Sequence, residues 1–508
     1  MANALQNVTI AAPAFSGLNT QDSPLGLDSS WASIADHCVI DQYGRIGARK
    51  GIDLITTDSS GLGSSDGIVS MFEFVDSAGT KTVFSTGNSK IWSGTTTLTD
   101  ETPGGGYTVS GDDWKIVSLS DKCYFFQRDQ EPLVYSTGTG AVEAMTGATG
   151  YTGTVQEGNE VLAAFGRLWV ADITDDKQTI YWSDLLNGLS WTGGSSGSID
   201  LSKHWPRGYD EIVALAAHNG FLIVFGKESI LVYSGAESPS TMTLTDTTDS
   251  VGCIARDTVQ AVGPDLLFLS AGGLRSLGRT IQEDSLPMTD VSKNIRNDLL
   301  SAISIQSTSP IKGVYSPENA FYLLTFADSE VVYCFDVRGL LENESYRVTK
   351  WPTTIVNSFL RNRDGTLYLG VENGIAQYEG YDDEGSLYNL KYYSHPLSFD
   401  APSNLKFLKK IIATFIGGNT TTGTFKWAYD YKENYSSRAF TLSTDEPAEY
   451  GVAEYNVGEY TTGVLTTRED TNAGGSGSVV TIGVEANIDG FPFSLQELNI
   501  HATIGRLI

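Results

Sequence analysis

One unit recurs between Val83 and Gly380: an apolar strand, a short polar or glycine turn, then a second strand that often ends in aromatic-Ser. It reads VFSTGNSKIWSG from Val83, YFFQRDQEPLVYSTG from Tyr124, RLWVADITDDKQTIYWSD from Arg167 and FLIVFGKESILVYSG from Phe221. Looser copies follow as LLFLSAGGLRSLG from Leu266, FYLLTFADSEVVYCFDV from Phe321 and TLYLGVENGIAQYEG from Thr366. The second-strand anchors are Trp92, Tyr135, Trp182, Tyr233, Arg275, Tyr333 and Tyr378, which stand 42 to 58 residues apart. A repeat of roughly 40–50 residues built from hairpins is the period of a four-stranded propeller blade. Segments between the hairpins, such as Trp114–Ser120 and Glu211–Ala217, supply the remaining strands. The chain is therefore expected to be all-β, with a β-propeller of about six to seven blades. Radial repetition leaves only short sheet edges, which suits so strand-rich a chain. Asn187-Gly188, Asp364-Gly365 and Asn373-Gly374 are the expected type I′ turns.

The repeat stops after Asp400. Lys406–Ile416 reads as a basic-tipped apolar strand, Phe425–Tyr431 and Phe491–Ile504 alternate, and Asn472–Ser478 supplies a Gly-Ser turn before Val479–Val484. These features point to a C-terminal antiparallel β-sandwich. The longest anchor gap contains Val291, Ile295, Leu299 and Ile303 at helical spacing, with Thr289 or Asp290 as N-cap, so one helix is expected near 290–303, packed on the propeller's side. The expected division is 1–70 as an N-terminal segment whose strands close or flank the propeller, 71–391 as the propeller, and 392–508 as the sandwich and assembly domain.

The 508 residues carry 33 Lys and Arg against 61 Asp and Glu, a formal charge of -28, and most of the acid excess precedes residue 392. Binding nucleic acid by neutralising its phosphates is excluded on that balance. No run approaches the ~18 apolar residues of a spanning helix, and Met1–Thr20 has neither the basic nor the apolar region of a signal peptide. Cys38, Cys123, Cys253 and Cys334 include no C-x-x-C pair, so neither a zinc site nor a disulfide framework is expected, and synthesis in a reducing cytoplasm is.

Chemical motifs are few. Gly193-Gly-Ser195-Ser-Gly197 has the spelling of a nucleophile elbow but lies in a Gly-Ser stretch without the strand and helix that motif needs. Gly61-Leu-Gly63-Ser-Ser-Asp-Gly67 has the wrong spacing for a dinucleotide loop. The histidines (His37, His204, His218, His395, His501) do not pair at ligand spacing, so no metal and no cofactor is expected. Carboxylates cluster in turns, at Asp172, Asp175 and Asp176, at Asp246 and Asp249, and at Asp382, Asp383 and Glu384. None follows a spaced calcium loop, and they read as solvated acidic surface. Ser183-Asp184 through Trp191 is similar to a stretched sialidase Asp-box, a folding element of propeller blades.

The opening Pro13–Ile55 resembles that of the tail nozzle proteins of short-tailed bacteriophages, also called tail tubular protein B or, in a related group, packaged-DNA stabilisation proteins. Their pattern F-x-G-[LM]-N, then Pro and Leu, then G-x-[IL]-x-x-R-x-G is met by Phe15, Gly17, Leu18, Asn19, Pro24, Gly44, Ile46, Arg49 and Gly51. An Asn usual in the family is absent, and His37-Cys38 stands near its place. The region through Gly272-Gly273-Leu274, the segment LPMTDVSKNIRNDLL and the closing GFPFSLQELNIHATIGRLI, with Gly505-Arg506, are also similar to the family. Together these segments span about a third of the chain.

The resemblance implies a non-enzymatic virion protein of the phage tail, assembled in the host cytoplasm. It would form a homo-hexameric ring below the portal and adaptor, contact tail fibre or needle proteins, and retain then conduct double-stranded DNA. An acidic wall fits that task, because Lys and Arg there would hold phosphates and slow sliding, whereas repulsion centres the duplex within the ~8–10 Å reach of screened charge. Asp175, Asp176, Asp382, Asp383 and Glu384 are the candidate channel-lining acids. One alternative is a glycan-binding or glycoside-hydrolase propeller, for which Asp172 and Asp184 would be the acids to test. Another is a cellular protein-interaction propeller with a basic or apolar face, which the acidic balance disfavours.

Overall fold

The computed structural model describes residues 5–24, 26–58, 62, 67–105, 107–278, 290–442 and 466–507. Thr289, one of the two expected helix caps, lies outside them, as do Gly61 and Gly63. Six four-stranded blades and one three-stranded sheet succeed one another around an axis. Blade 1 is Ser70–Val75, Lys81–Gly87, Lys90–Ser93 and Thr99–Asp100; blade 2 begins at Lys115–Leu119, blade 3 at Glu160–Ala164 and blade 4 at Ile212–His218. The three-stranded sheet, Gln260–Val262, Asp265–Ser270 and Gly273–Ser276, is followed by blade 5 from Lys312–Ser316 and blade 6 from Ser358–Arg361. The seven anchors picked out by the repeat all fall on the third strand of successive sheets.

First strands face the axis and touch in sequence from blade 1 to blade 4. The turn Arg256–Thr258 then bridges to Lys312–Ser316, which touches Ser358–Arg361, and that strand returns to blade 1. The ring is closed by Gly51–Leu54, which pairs as the outermost strand of blade 6 with Ile52 opposite Tyr378. Aromatic rings fill the wedges between sheets: Phe84 of blade 1 meets Tyr135 of blade 2 at 4.9 Å, and Phe225 of blade 4 meets Phe268 of the three-stranded sheet at 5.0 Å.

The tight type I′ turns sit elsewhere than expected. Both central residues have positive φ at Asn88-Ser89, Ser120-Asp121, Phe165-Gly166 and Asn219-Gly220, each a two-residue loop between paired strands. At Asn187-Gly188 the positive φ falls on Leu186 and at Asp364-Gly365 on Gly365 alone, where Asn362 accepts from the Asp364 and Thr366 amides; at Asn373-Gly374 both φ are positive, but Gly374 already pairs with Val371, so the loop is Glu372-Asn373.

The expected helix is present but later, as a 3-10 turn Lys293–Ile295 running into the α-helix Arg296–Ile305. Asp290 accepts from the Ser292 amide and hydroxyl in the residues that precede the turn, and it caps neither the turn nor the helix. Val291, Ile295 and Leu299 are buried and Ile303 half-buried, against the three-stranded sheet and blade 5.

The C-terminal sandwich contains N-terminal strands as well. One sheet centres on Asn404–Gly417 and Phe493–Leu507; Leu5–Ala11 and Ile46–Ala48 both pair with the latter. The other sheet runs from Ser436–Thr441 through Thr422–Tyr429, Val480–Ile488 and Tyr388–Ser394 to Trp31–Asp36, and joins the outer strand of blade 5 through Lys350 opposite Asp36. Phe415, Phe425, Phe440 and Phe493 fill the space between, with Phe415 stacked on Phe440 at 5.0 Å. Lys406 is not a solvent tip. It is wholly buried, and its ammonium donates to the Ala401 and Ser478 carbonyls at 2.5 Å.

The residues of the opening motif build the joint between propeller and sandwich. Phe15 packs edge-on to Tyr392 at 5.5 Å. Gly17 has φ +80, and a Cβ there would stand 2.7 Å from the Val348 carbonyl, so only glycine fits. Asn19 is buried and accepts from the Gln21 and Asp22 amides. Arg49, 1% exposed, makes a bidentate pair with Asp383 at 2.8 and 2.6 Å and lies over the Tyr388 ring at 4.1 Å.

Candidate functional site

Innermost strands of a propeller present their first residues to one another across the axis. Here those positions hold charge. Lys115, Glu160 and Lys312 each open the first strand of their blade, Asp113 stands two residues before Lys115, and Arg256 and Asp257 lie on the turn that replaces an inner strand. Asp257 receives Lys115 at 2.8 Å and Lys312 at 2.6 Å, while Asp113 receives Lys312 at 2.6 Å and Arg256 at 2.8 Å. Arg256 also donates to the Asn159 carbonyl and side-chain oxygen. Glu160 accepts from the Leu215 amide at 3.1 Å with one oxygen, and holds the other 3.9 Å from Lys115 without a hydrogen bond. Three acids and three bases thus cancel formally in a cross-brace of the axis, in which Glu160, Arg256 and Lys312 are buried and Asp113 is the most exposed.

The acids are not equivalent. Burial pushes Asp257 up, but Lys115, Lys312 and Arg256 outweigh it and hold the carboxyl well below its usual range. Glu160, 1% exposed, is pushed up to about 7 by burial, which Lys115 and Arg256 only partly oppose and to which Asp257 adds. A buried pair stabilises little by itself, but losing one partner strands a charge.

Cavities of about 640 and 430 Å³ adjoin this brace, and Asp257 lines both. Phe72, Tyr315 and Phe359 wall the larger; Asp172, Lys177 and Glu211 help wall the smaller. Volumes of this order accommodate a small molecule.

The sequence-selected acids are spread over separate loops. Asp175 is exposed and Asp176 accepts from the Tyr181 hydroxyl at 2.9 Å, both in a turn of blade 3. Asp382 accepts from the Gly385 amide, Asp383 is taken by Arg49, and Glu384 is exposed, all where the chain leaves blade 6. None of the five lines the two axial cavities. Asp172 is neutralised by Arg128 and by Lys177 at 2.7 Å. Asp184 caps the following loop, accepting from the Ser195 amide at 2.9 Å and hydroxyl at 2.7 Å, so the elbow-like serine donates to a carboxylate instead of an imidazole. Asp249 pairs with Arg207 at 2.8 Å, and Asp246 accepts from the Thr247 amide. Among the described residues no group of three or more His, Cys, Asp or Glu could hold a metal, and the four cysteines are buried free thiols.

The axial brace escaped the sequence because its members lie up to 199 residues apart. Its signal was the phase of the repeat: Lys115, Glu160 and Lys312 share one blade position, where blades 1 and 6 carry serine and blade 4 isoleucine.

No protein-family model matches this chain, and no curated protein matches it. Similar solved structures include the extracellular domain of a protein described as a one component system from B. thetaiotaomicron (TM-score 0.30, 11% identity, covering 66% of this chain and 40% of that one). Another is PorZ, a surface component of the type-IX secretion system of Porphyromonas gingivalis (TM-score 0.34, 12% identity, 66% and 43%). A third is the WD40 β-propeller domain of Doa1 (TM-score 0.28, 13% identity, 53% and 93%). This chain spans 40% and 43% of the length of the first two. Likeness at this level carries nothing about activity; the propeller rests on the sheets described above.

Proposed function

We propose that this chain is a structural subunit of a phage tail nozzle or hub, without enzymatic activity. Six copies form a channel below the portal and adaptor in the virion, retain the packaged genome and conduct it at ejection, with tail fibre or needle proteins as further neighbours. The observation that carries this reading is the ordered set Phe15, Gly17, Leu18, Asn19, Gly44, Ile46, Arg49 and Gly51, similar to the opening of that family, in a chain of charge -28.

In this reading the channel does not run along the propeller axis. The axial cavities are of small-molecule size and are braced by ion pairs, so a duplex would have to pass between subunits. There the acid excess of the exterior would repel phosphate at short range and give sliding DNA nothing to grip.

The aromatic wall of the larger axial cavity favours a second reading, a glycan-binding propeller. Native mass spectrometry with negative-stain imaging of the full chain separates the two. A six-fold ring with a hole wide enough for a duplex supports the nozzle. A strict monomer at every concentration, with saturable oligosaccharide binding, replaces it with the second.

A further inference from the structure

Leu5–Ala11 runs along Phe493–Leu507 without a bulge, from Leu5 opposite Thr503 to Ala11 opposite Glu497. Among the described residues it pairs on that side alone. The direction of its main-chain groups follows from one bond. The Ala12 amide donates to the Gln496 carbonyl at 2.9 Å, which makes position 12 a hydrogen-bonded pair of the antiparallel ladder. Such pairs alternate, so Ile10, Val8 and Gln6 turn N–H and C=O inward to Phe493–Leu507. Leu5, Asn7, Thr9 and Ala11 turn theirs outward. The Ala11 carbonyl accepts from the Ala14 amide, but Leu5, Asn7 and Thr9 have no outward main-chain partner among the described residues. All three are exposed, Leu5 by 61%.

Open edges are ordinarily blunted by charge, proline or a bulge, because a bare row of donors and acceptors templates another strand. LQNVTIA has no charge, no proline and no glycine. The opposite edge strand of the same sheet, Thr466–Asn472, carries Arg468, Glu469 and Asp470 in succession, the last paired with Lys410 at 2.5 Å. One edge is guarded and the other is not.

We propose that the outward edge of Leu5–Ala11 receives a strand from a neighbouring copy of this chain, joined by main-chain hydrogen bonds. The inference rests on the ring reading above and names its contact. Copies of charge -28 repel across most of their exteriors, and an uncharged edge lets two of them approach to the ~4.8 Å strand spacing without bringing carboxylates together. The incoming strand belongs to a different element of the neighbour, because two copies of Leu5–Ala11 pairing with each other would close a two-fold dimer, whereas a ring needs two unlike surfaces.

Asn7→Pro tests it, because proline at 7 removes an outward N–H and leaves the inward ladder whole. Val8→Pro, which breaks the inward ladder, is the folding control. Native mass spectrometry of the full chain should show wild-type rings, and folded Asn7→Pro monomers whose melting temperature stays within a few degrees of wild type. Hydrogen exchange on the wild type gives a reading that needs no variant: the amides of Asn7 and Thr9 should exchange at least tenfold more slowly in the ring than in dilute monomer. Rings that survive Asn7→Pro, unprotected Asn7 and Thr9 amides in the ring, or a two-fold dimer would each overturn the contact while leaving a ring, if present, to be explained by another surface. A wild type that never assembles removes the ring reading itself.

Discussion

Replacing Glu160 by glutamine should stabilise this protein in alkali and do little in acid. Glu160 is a carboxyl whose folded pKa is raised, from an ordinary 4.5 to about 7, chiefly by burial. The folded chain therefore keeps a proton that the unfolded chain releases between those values. Stability falls as pH rises through that window and levels off above it. That rise corresponds to about 3 kcal/mol at pH 8. Glutamine is uncharged at every pH, matches the protonated acid in shape, and its carbonyl can still accept from the Leu215 amide. Urea unfolding at pH 5, 6, 7 and 8 should give variant and wild type within about 1 kcal/mol at pH 5. The variant should then be ahead by a margin that grows to about 3 kcal/mol at pH 8. A variant less stable than wild type at pH 8 would show that Lys115 holds Glu160 as a true ion pair, and a difference that does not change with pH would show that burial leaves the Glu160 carboxyl unshifted; either result refutes the reasoning.

Other substitutions separate the brace from the surface and the joint from the blades. Asp257→Asn removes the acid that Lys115, Lys312 and Arg256 share and should lower unfolding free energy by about 3–5 kcal/mol in denaturant melts. Arg207→Ala, at an exposed pair with Asp249, should change it by less than about 1 kcal/mol. Arg49→Lys loses the two-pronged bond to Asp383 and the stacking on Tyr388, which should cost about 2–3 kcal/mol and expose the joint to limited proteolysis near residue 383. Trp169→Ala empties a fully buried site against Trp182 and should cost about 3–5 kcal/mol, read as a lowered melting temperature.

The blades were legible because each hairpin joins a short apolar run to a second strand carrying an aromatic or bulky anchor, from Trp92 to Tyr378, that packs between sheets. Turn types were less so. Asn219-Gly220 carried the ordinary type I′ signal, but Phe165-Gly166 and Ser120-Asp121 are set in that conformation by the strands they join. The partner of Leu5–Ala11 lies about 490 residues away, and no local pattern announces it. Val291, Ile295 and Leu299 gave the helix, while its start moved because the 3-10 turn Lys293–Ile295 comes first. Of the acids chosen for exposure, Asp383 is held by Arg49, and the charges that meet on the axis are ordinary residues brought together by the phase of the repeat.

The most direct test of the nozzle reading is a cryo-electron microscopy reconstruction of the native particle that contains this chain. Six copies around the genome axis, with carboxylates outnumbering Lys and Arg on the inner wall, is the predicted outcome. A single copy, or an inner wall rich in Lys and Arg, would contradict it.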